Sequence, residues 1–338
     1  MVLDAAKAVI ERPVGSVERL VALAAADMAG VDALIAARMA SPVAVIPALA
    51  DHLINAGGKR LRPLLTVAAA RLAGGKGGAG LKLAAAVEFI HTATLLHDDV
   101  VDESRLRRGK PAAHLIWGAA SSVLVGDFLF ARAFELMVET GALRSLEILA
   151  RASRVIAEGE VLQLSRAHDI NLTQATYLEI ITAKTAELFA AAAEAGAVAA
   201  GAADAQSNAL RAYGLNLGLA FQLADDALDY GGATETLGKN AGDDFREGKA
   251  TLPLILAMGR LGGREADFWD RAIGRRDQTE ADFRRAREMI VGAGALETTL
   301  DLAADYAESA KAALGVFPAG EWREALEALA DFAVSRRA

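Results

Sequence analysis

The chain has 338 residues, of which 53% are hydrophobic, 24% are charged and 5% are aromatic, and its formal net charge is −8. This apolar share excludes a disordered chain, the absence of cysteine excludes disulfides and thiolate metal sites, and the acidic balance argues against nucleic-acid binding. Residues 1–13 read MVLDAAKAVIERP, and their charges interrupt the apolar core that a signal peptide needs. No segment is predicted to span a membrane, so we expect a cytoplasmic protein.

Helical patterns run along the whole chain. Alanine, leucine, glutamate and arginine recur at three- and four-residue spacing, and alternating β-branched runs are scarce. Breaks are expected at 74–80, 104–111, 140–143, 200–204, 231–250 and 262–264. The spacing predicts a single all-α domain over 1–338, with roughly ten or more helices. Residues 1–40 are expected to form an N-terminal helical extension that packs on the bundle or contacts a second copy.

The sequence DDVVD is the first acidic motif, with Asp98, Asp99 and Asp102. On a helix, the three- and four-residue spacing places these carboxylates on one face, where like charges repel. The flanking residues are apolar, so a purely solvated face is a poor interpretation. A bridging divalent cation would relieve the repulsion, and ligands that are all oxygen favour Mg²⁺.

The sequence DDALD is the second acidic motif, with Asp225, Asp226 and Asp229. It follows the apolar run FQLA. One such motif alone is more often a solvated acidic face than a site. Two copies inside apolar helices favour a site in which two facing helices hold one polyanion through several metal ions.

Basic residues supply possible partners for a polyanion. They cluster in three segments: Lys59, Arg60 and Arg62 in GGKRLRP, Arg107 and Arg108 in RLRRGKP, and Lys239 and Lys249 in the long loop 231–250. Any one of them alone is best interpreted as a surface cation. Arginine binds phosphate bidentately and lysine binds it as a point charge. Together with the acidic motifs, the set predicts two diphosphate sites, one bridged by metal and one bound directly by cations.

The sequence resembles the trans-type isoprenyl diphosphate synthase family, and within it the long-chain polyprenyl diphosphate synthases. The motifs occur in the family's order: GGKRLRP, EFIHTATLLHDDVVD, RRG, GDFLFARAF, EGEVLQ, AKTAELF, FQLADDALD and GKNAGDDFREGKATLPLI. The resemblance covers nearly the whole chain, from about Pro42 onwards. It implies a helical bundle around a deep central cavity and, in most members, a homodimer.

The resemblance also implies roles for the matching residues. The Mg²⁺ ligands would be Asp98, Asp102 and Asp225, supported by Asp99, Asp226 and Asp229, with three ions when an allylic diphosphate is bound. The allylic diphosphate would contact Arg107, Lys184, Lys239 and Lys249. Isopentenyl diphosphate would contact Lys59, Arg62, His91 and Arg108. Thr185 and Gln222 would line the reacting centre.

The implied reaction is head-to-tail prenyl transfer. Cations stabilise the leaving diphosphate, an allylic carbocation forms, and the double bond of isopentenyl diphosphate attacks it. The released diphosphate takes the proton, so we assign no side chain as base. Water must be excluded because it would quench the cation.

Product length is predicted from the helix that carries DDVVD. Ala93 and Thr94 lie about 6–7.5 Å below Asp98 along this helix. In short-chain members of the family an aromatic side chain plugs this level, and here both residues are small. The small residues therefore predict a product beyond C20, and the resemblance of the motif flanks to the long-chain members implies C40–C50, the length of quinone side chains. The far wall is expected at 123–137, with the candidate floor residues Phe128, Phe134, Leu136 and Met137. The alternative is that Ala93 only packs helices and the product stops at C20.

Two other classes remain as alternatives. A terpene cyclase needs one acidic motif and no isopentenyl diphosphate site, and a non-catalytic partner subunit needs neither set intact. Both acidic motifs and the basic residues are present, which favours the synthase. A very apolar product would make peripheral membrane contact plausible.

Overall fold

The computed structural model describes residues 15–54, 60–107, 109–231 and 242–335. Nearly all of them are helical. The helices are α1 (Gly15–Arg38), α2 (Val45–Ile54), α3 (Leu61–Leu72), α4 (Ala79–Val101), α5 (Ala113–Trp117), α6 (Ala119–Val138), α7 (Leu143–Ser165), α8 (Gln174–Ile181), α9 (Glu187–Ala199), α10 (Asp204–Gly231), α11 (Asp243–Arg246), α12 (Leu252–Leu261), α13 (Ala266–Trp269), α14 (Glu280–Gly292), α15 (Ala295–Ala313) and α16 (Glu321–Ser335). The all-α prediction is confirmed.

Two short departures from α-helix matter for the site. A hairpin pairs β1 (Leu106–Arg107) with β2 (Lys110–Pro111) just after the first acidic motif, where the sequence predicted only a loop. A π-helical turn, Thr182–Ala186, joins α8 to α9 and contains Lys184 and Thr185. Single π-turns are uncommon and are frequent at functional sites.

The centre of the bundle is built from α3, α4, α9 and α10, which pack on one another. Glycines permit the closest approaches. A Cβ added at Gly196 of α9 would lie 2.3 Å from the carbonyl oxygen of Thr66 in α3. One added at Gly214 of α10 would lie 2.4 Å from the carbonyl oxygen of Phe189 in α9. Because backbone cannot yield to such contacts, these positions set the spacing of the helices around the site.

The first helix packs on the bundle through one face. Leu20, Ala24, Val31 and Ile35 of α1 are buried in the same hydrophobic cluster as residues of α16. The apolar length of α1 and of α4 would suffice to cross a membrane, which the sequence analysis did not anticipate. In α4, however, 67% of the apolar window is buried inside the fold, as in a core helix of a soluble protein, whereas 22% is buried in α1.

Candidate active site

The first acidic motif lies at the end of α4, with Asp98 in its last turn and Asp102 directly after it. Asp99 differs from the other two. Its side chain is 1% exposed, and the Arg107 guanidinium donates to its Oδ1 from Nε at 2.8 Å and also from Nη2. The expectation of three carboxylates on one shared face therefore holds only for Asp98 and Asp102.

Two lysines approach those remaining carboxylates. Lys249 Nζ lies 2.9 Å from Asp102 Oδ2 and also pairs with Glu247. Lys184 Nζ lies 3.7 Å from Asp98 Oδ2. Burial raises the pKa of Asp98, and the Lys184 charge counteracts this rise. The first motif is thus charge-compensated by cations from three different segments of the chain.

The second acidic motif lies in α10 and uses neutral donors instead. Asp226 is buried; it accepts a hydrogen bond from the Tyr177 hydroxyl at 2.5 Å and one from Gln222 Nε2 at 2.7 Å. Burial, followed by the charge of Asp244, raises the pKa of Asp226 well above its usual value. Gln222 in turn accepts a hydrogen bond from the Thr185 hydroxyl at 2.9 Å. Asp225 is partly exposed beside Asp226.

Asp229, the last member of the second motif, anchors the segment that carries Lys249. Its carboxylate accepts backbone N–H bonds from Gly242, Asp243 and Asp244 at 3.1–3.2 Å. Burial and the Asp244 charge raise the pKa of Asp229 to about 7. Asp229, which the sequence predicts to support the metal site, therefore also holds the turn at 242–244 in place.

The two motifs are joined by two continuous sets of contacts. In one, Asp98 meets Lys184 on the π-turn, and the neighbouring Thr185 bonds Gln222, which bonds Asp226. The other runs from Asp102 to Lys249 and through the turn at 242–249 to Asp229. The structure therefore brings both acidic motifs, Lys184, Lys249, Thr185 and Gln222 into one site.

The residues expected to bind isopentenyl diphosphate are brought together only in part. Arg62 Nη1 lies 3.2 Å from His91 Nε2, and the Arg62 guanidinium stacks on the Phe189 ring at 4.4 Å from its centroid. Arg60 adopts a left-handed backbone conformation with φ 44° and pairs instead with Asp32 of α1. Lys59 and Arg108, the other two residues of this set, lie outside the described residues, as does Lys239, which is expected to contact the allylic diphosphate.

Glu160 is a site residue to which the sequence analysis assigned no role. It lies on α7 within EGEVLQ, and its Oε2 accepts a hydrogen bond from Lys184 Nζ at 2.7 Å. The neighbouring Gly159 lets the π-turn approach, because a Cβ there would lie 2.7 Å from the Cβ of Ala183. The signal in the sequence was the glycine–glutamate pair in an otherwise recognised motif.

The carboxylates fit a magnesium site that is completed by substrate. Among the described residues, no three His, Cys, Asp or Glu side chains form a group that could hold a metal alone. Mg²⁺ commonly takes one or two carboxylates and shares its shell with water and substrate phosphates. The outer carboxylates Asp98, Asp102 and Asp225 offer only oxygen, the kind of ligand that Mg²⁺ takes.

The residues of the chain-length prediction are arranged along α4. Ala93 is fully buried, and the Thr94 hydroxyl is turned to the carbonyl of His91 at 2.8 Å. Of the candidate floor residues on α6, Leu136 and Met137 are buried, whereas Phe134 is 41% exposed. No aromatic side chain stands at positions 93 and 94.

Known proteins resemble this chain in sequence and in structure. Residues 43–290 match the polyprenyl synthetase family model. Octaprenyl diphosphate synthase from Escherichia coli is 47% identical over 95% of this chain and 99% of its own. A polyprenyl synthase from Caulobacter crescentus, solved with calcium and isoprenyl diphosphate, is 80% identical with a TM-score of 0.94 over 97% of this chain and 100% of its own. A decaprenyl diphosphate synthase from Rhodobacter capsulatus is 53% identical with a TM-score of 0.91, over 95% and 99%.

The chain belongs to the polyprenyl synthetase family of prenyltransferases. The octaprenyl and decaprenyl diphosphate synthases, at 47% and 53% identity, are more similar to it than a geranylgeranyl diphosphate synthase from Methanosarcina mazei at 37% identity. The resemblance inferred from the motifs is therefore confirmed.

Proposed function

We propose that this enzyme condenses isopentenyl diphosphate head-to-tail with an allylic diphosphate to make an all-trans polyprenyl diphosphate of C40–C50. The observation that carries the proposal is the joining of both acidic motifs, two lysines and the Thr185–Gln222 pair in one site. A terpene cyclase would have no use for the additional cation cluster of Arg62 and His91. A non-catalytic partner subunit would need neither motif.

We propose roles for the residues as follows. Bound Mg²⁺, with three ions in the allylic complex, would act as a Lewis acid on the leaving diphosphate. Asp98, Asp102 and Asp225 would hold it, while Asp99, Asp226 and Asp229 support the motifs from within. Lys184, Lys249 and Arg107 would contact the allylic diphosphate, and Arg62 and His91 the isopentenyl diphosphate. Thr185 and Gln222 present dipoles to the forming cation.

Product analysis tests the reaction. The purified protein is incubated with Mg²⁺, isopentenyl diphosphate and farnesyl or geranylgeranyl diphosphate, and the dephosphorylated products are sized by chromatography with mass detection. A series ending at C40, C45 or C50 is expected. A stop at C15 or C20 would keep the class and refute the long-chain assignment, and absence of elongation would refute the synthase.

The Ala93→Tyr substitution tests the route of the growing chain. The aromatic ring would project from α4 about 7.5 Å below Asp98. We expect the main product to shorten to C15 or C20 while isopentenyl diphosphate consumption per enzyme continues. Leu164→Ala, at an exposed position of α7, is the control and should leave product length unchanged. An unchanged product in Ala93→Tyr would place the tail elsewhere.

We propose a homodimer that uses the exposed apolar face of α6. Leu124, Ala131, Phe134 and Val138 are exposed and follow the three- and four-residue spacing of a seam between packed helices. Sedimentation should show a dimer for the native chain and a monomer for Phe134→Glu. Leu164→Glu, at an exposed leucine of α7, is the matched control and should stay dimeric.

We propose that the enzyme is cytoplasmic and that its single catalytic unit spans the whole chain, including the helix at 15–38. The packing of α1 against α16 supports this assignment. Its apolar product would bring it into peripheral contact with membranes. Flotation with and without product-loaded vesicles tests the contact.

A further inference from the structure

Lys184 has two carboxylates within reach, and only one of them belongs to an acidic motif. Its ammonium lies 2.7 Å from Glu160 Oε2 on α7 and 3.7 Å from Asp98 Oδ2 on α4. The shorter contact is a charge-assisted hydrogen bond, whereas the longer one is an ion pair without a hydrogen bond. Lys184 is therefore held mainly by the residue outside the motif.

The backbone around this contact is fixed from both sides. Gly159 allows α7 to reach the π-turn so closely that a Cβ at 159 would lie 3.0 Å from the Lys184 backbone nitrogen. The π-turn itself sets the direction in which Lys184 leaves the chain. Glu160 follows Gly159 directly, and this close approach of α7 brings its carboxylate to the Lys184 ammonium. The contact is thus a built feature and not a chance pairing of two mobile surface side chains.

The Glu160 carboxylate uses only one of its two oxygens in the contact with Lys184. In the part of the chain that the structure describes, its Oε1 is buried and has no hydrogen-bond partner, so Lys184 is the chief compensation of its charge. A carboxylate in that state holds its cation strongly, because losing the cation would leave a buried charge unpaired.

We propose that Glu160 is a positioning residue that draws Lys184 away from Asp98 and so leaves Asp98 available to the metal ion. Lys184 and a divalent cation compete for the same carboxylate oxygen. With Glu160 present, the lysine stays on the α7 side and can still reach a diphosphate bound between them. Without the Glu160 charge, Lys184 would close the 3.7 Å gap to Asp98 and oppose metal binding.

The Glu160→Gln variant tests the proposal, because glutamine keeps the size and an acceptor oxygen and removes the charge. The probe is Mn²⁺ binding, measured by calorimetry in the presence of inorganic diphosphate. We expect Mn²⁺ to bind about three- to tenfold more weakly, the ordinary strength of one partly buried ion pair. The Mg²⁺ concentration for half-maximal elongation should rise by the same factor, with a smaller change in kcat at saturating Mg²⁺.

Glu158→Gln is the matched control. Glu158 lies on the same helix, is 60% exposed and pairs with the exposed Arg154, so its substitution changes net charge equally. It should leave Mn²⁺ affinity unchanged. Equal weakening in both variants would mean a general effect of net charge and would refute a role specific to Glu160.

A double-mutant cycle with Lys184→Gln decides whether Glu160 acts through the lysine. In the Lys184→Gln background, Glu160→Gln should no longer weaken Mn²⁺ binding. If it weakens binding as much as in the native background, Glu160 acts directly on the metal and the proposal is overturned. An unchanged Mn²⁺ affinity in the single Glu160→Gln variant would overturn it as well.

The inference depends on the proposed function only through the metal. Failure of elongation with normal Mn²⁺ binding would refute the synthase and leave the Glu160 measurement valid. Normal elongation by the native chain, with an unchanged Mn²⁺ affinity in Glu160→Gln, would support the synthase and refute the role of Glu160.

Discussion

Asp99 and Asp226 occupy the same place in the two DDxxD motifs, and both are buried, but they are stabilised by different chemistry. Asp99 pairs with the guanidinium of Arg107, whereas Asp226 accepts bonds from Tyr177 and Gln222. Two nearly identical motifs thus hold their inner carboxylates differently, one by a cation and the other by neutral donors.

Within each motif, the inner and the outer carboxylates have different tasks. The inner carboxylate of each is enclosed by protein and fixes the helix against its neighbours. The outer carboxylates remain at the surface of the site, where a metal ion can reach them. We therefore expect substitutions of outer carboxylates to affect turnover and substitutions around the inner ones to affect stability.

The largest effect is expected from the outer carboxylates. Asp98→Ala and Asp225→Ala should each lower kcat/KM by about a hundredfold to a thousandfold or more, the cost of losing one group that stabilises developing charge. Thermal unfolding should change little, because both side chains border the site. Steady-state elongation assays and melting curves measure the two quantities. An unchanged rate in either variant would remove that residue from the metal site.

Arg107→Leu should have the largest effect on stability. It leaves Asp99 buried without its cation, and breaking such a pair costs about 3–5 kcal/mol. Urea unfolding in EDTA measures the loss. Arg154→Leu breaks an exposed pair and should change stability by less than about 1 kcal/mol.

The double variant Arg107→Leu with Asp99→Leu refines this prediction. Removing both charges should restore most of the lost stability, because replacement of a buried pair by apolar residues is often neutral. If the double variant is as unstable as the single one, the loss comes from packing of the hairpin and not from the unpaired carboxylate.

Tyr177→Phe should cost less than Arg107→Leu, because a neutral donor is removed. Leaving the buried Asp226 oxygen without this donor costs about 1–3 kcal/mol in unfolding free energy. Tyr213→Phe is the matched control, since the Tyr213 hydroxyl is equally buried but donates to the uncharged carbonyl of Leu326 at 2.7 Å. Urea titrations at one pH compare the two. A loss at Tyr177 no greater than at Tyr213 would mean that Asp226 is uncharged there.

The sequence predicted the fold because helices depend on short-range patterns, and three- and four-residue spacing predicted them. The motifs also contain the side chains that the described structure brings together, Asp98, Lys184, Gln222 and Asp226. The sequence did not distinguish Asp99 from Asp98, because that difference arises when Arg107 returns on a hairpin that local spacing does not encode.

Glu160 and Phe134 show the same limit. Nothing near Glu160 in the chain indicates that it meets Lys184, 24 residues later, because the contact depends on a π-turn and on the packing of α7. The sequence likewise does not predict that Phe134 is 41% exposed, because its exposure depends on which face of α6 meets α4. Such facts belong to packing and are visible only in three dimensions.

A pH dependence should belong to the second motif, and per pH unit it is the smallest of these effects. The pKa of Asp229 is raised to about 7 in the folded chain, against an ordinary value of 3.8, so the folded state keeps a proton that the unfolded state releases. The stability contributed by this proton is fully present below about pH 4 and is lost as pH rises to about 7. The slope for one such group is at most about 1.4 kcal/mol per pH unit. Urea unfolding in EDTA from pH 5 to 8 should show it, and Asp229→Asn should flatten it. If the slope persists undiminished in Asp229→Asn, the pH dependence arises from another group.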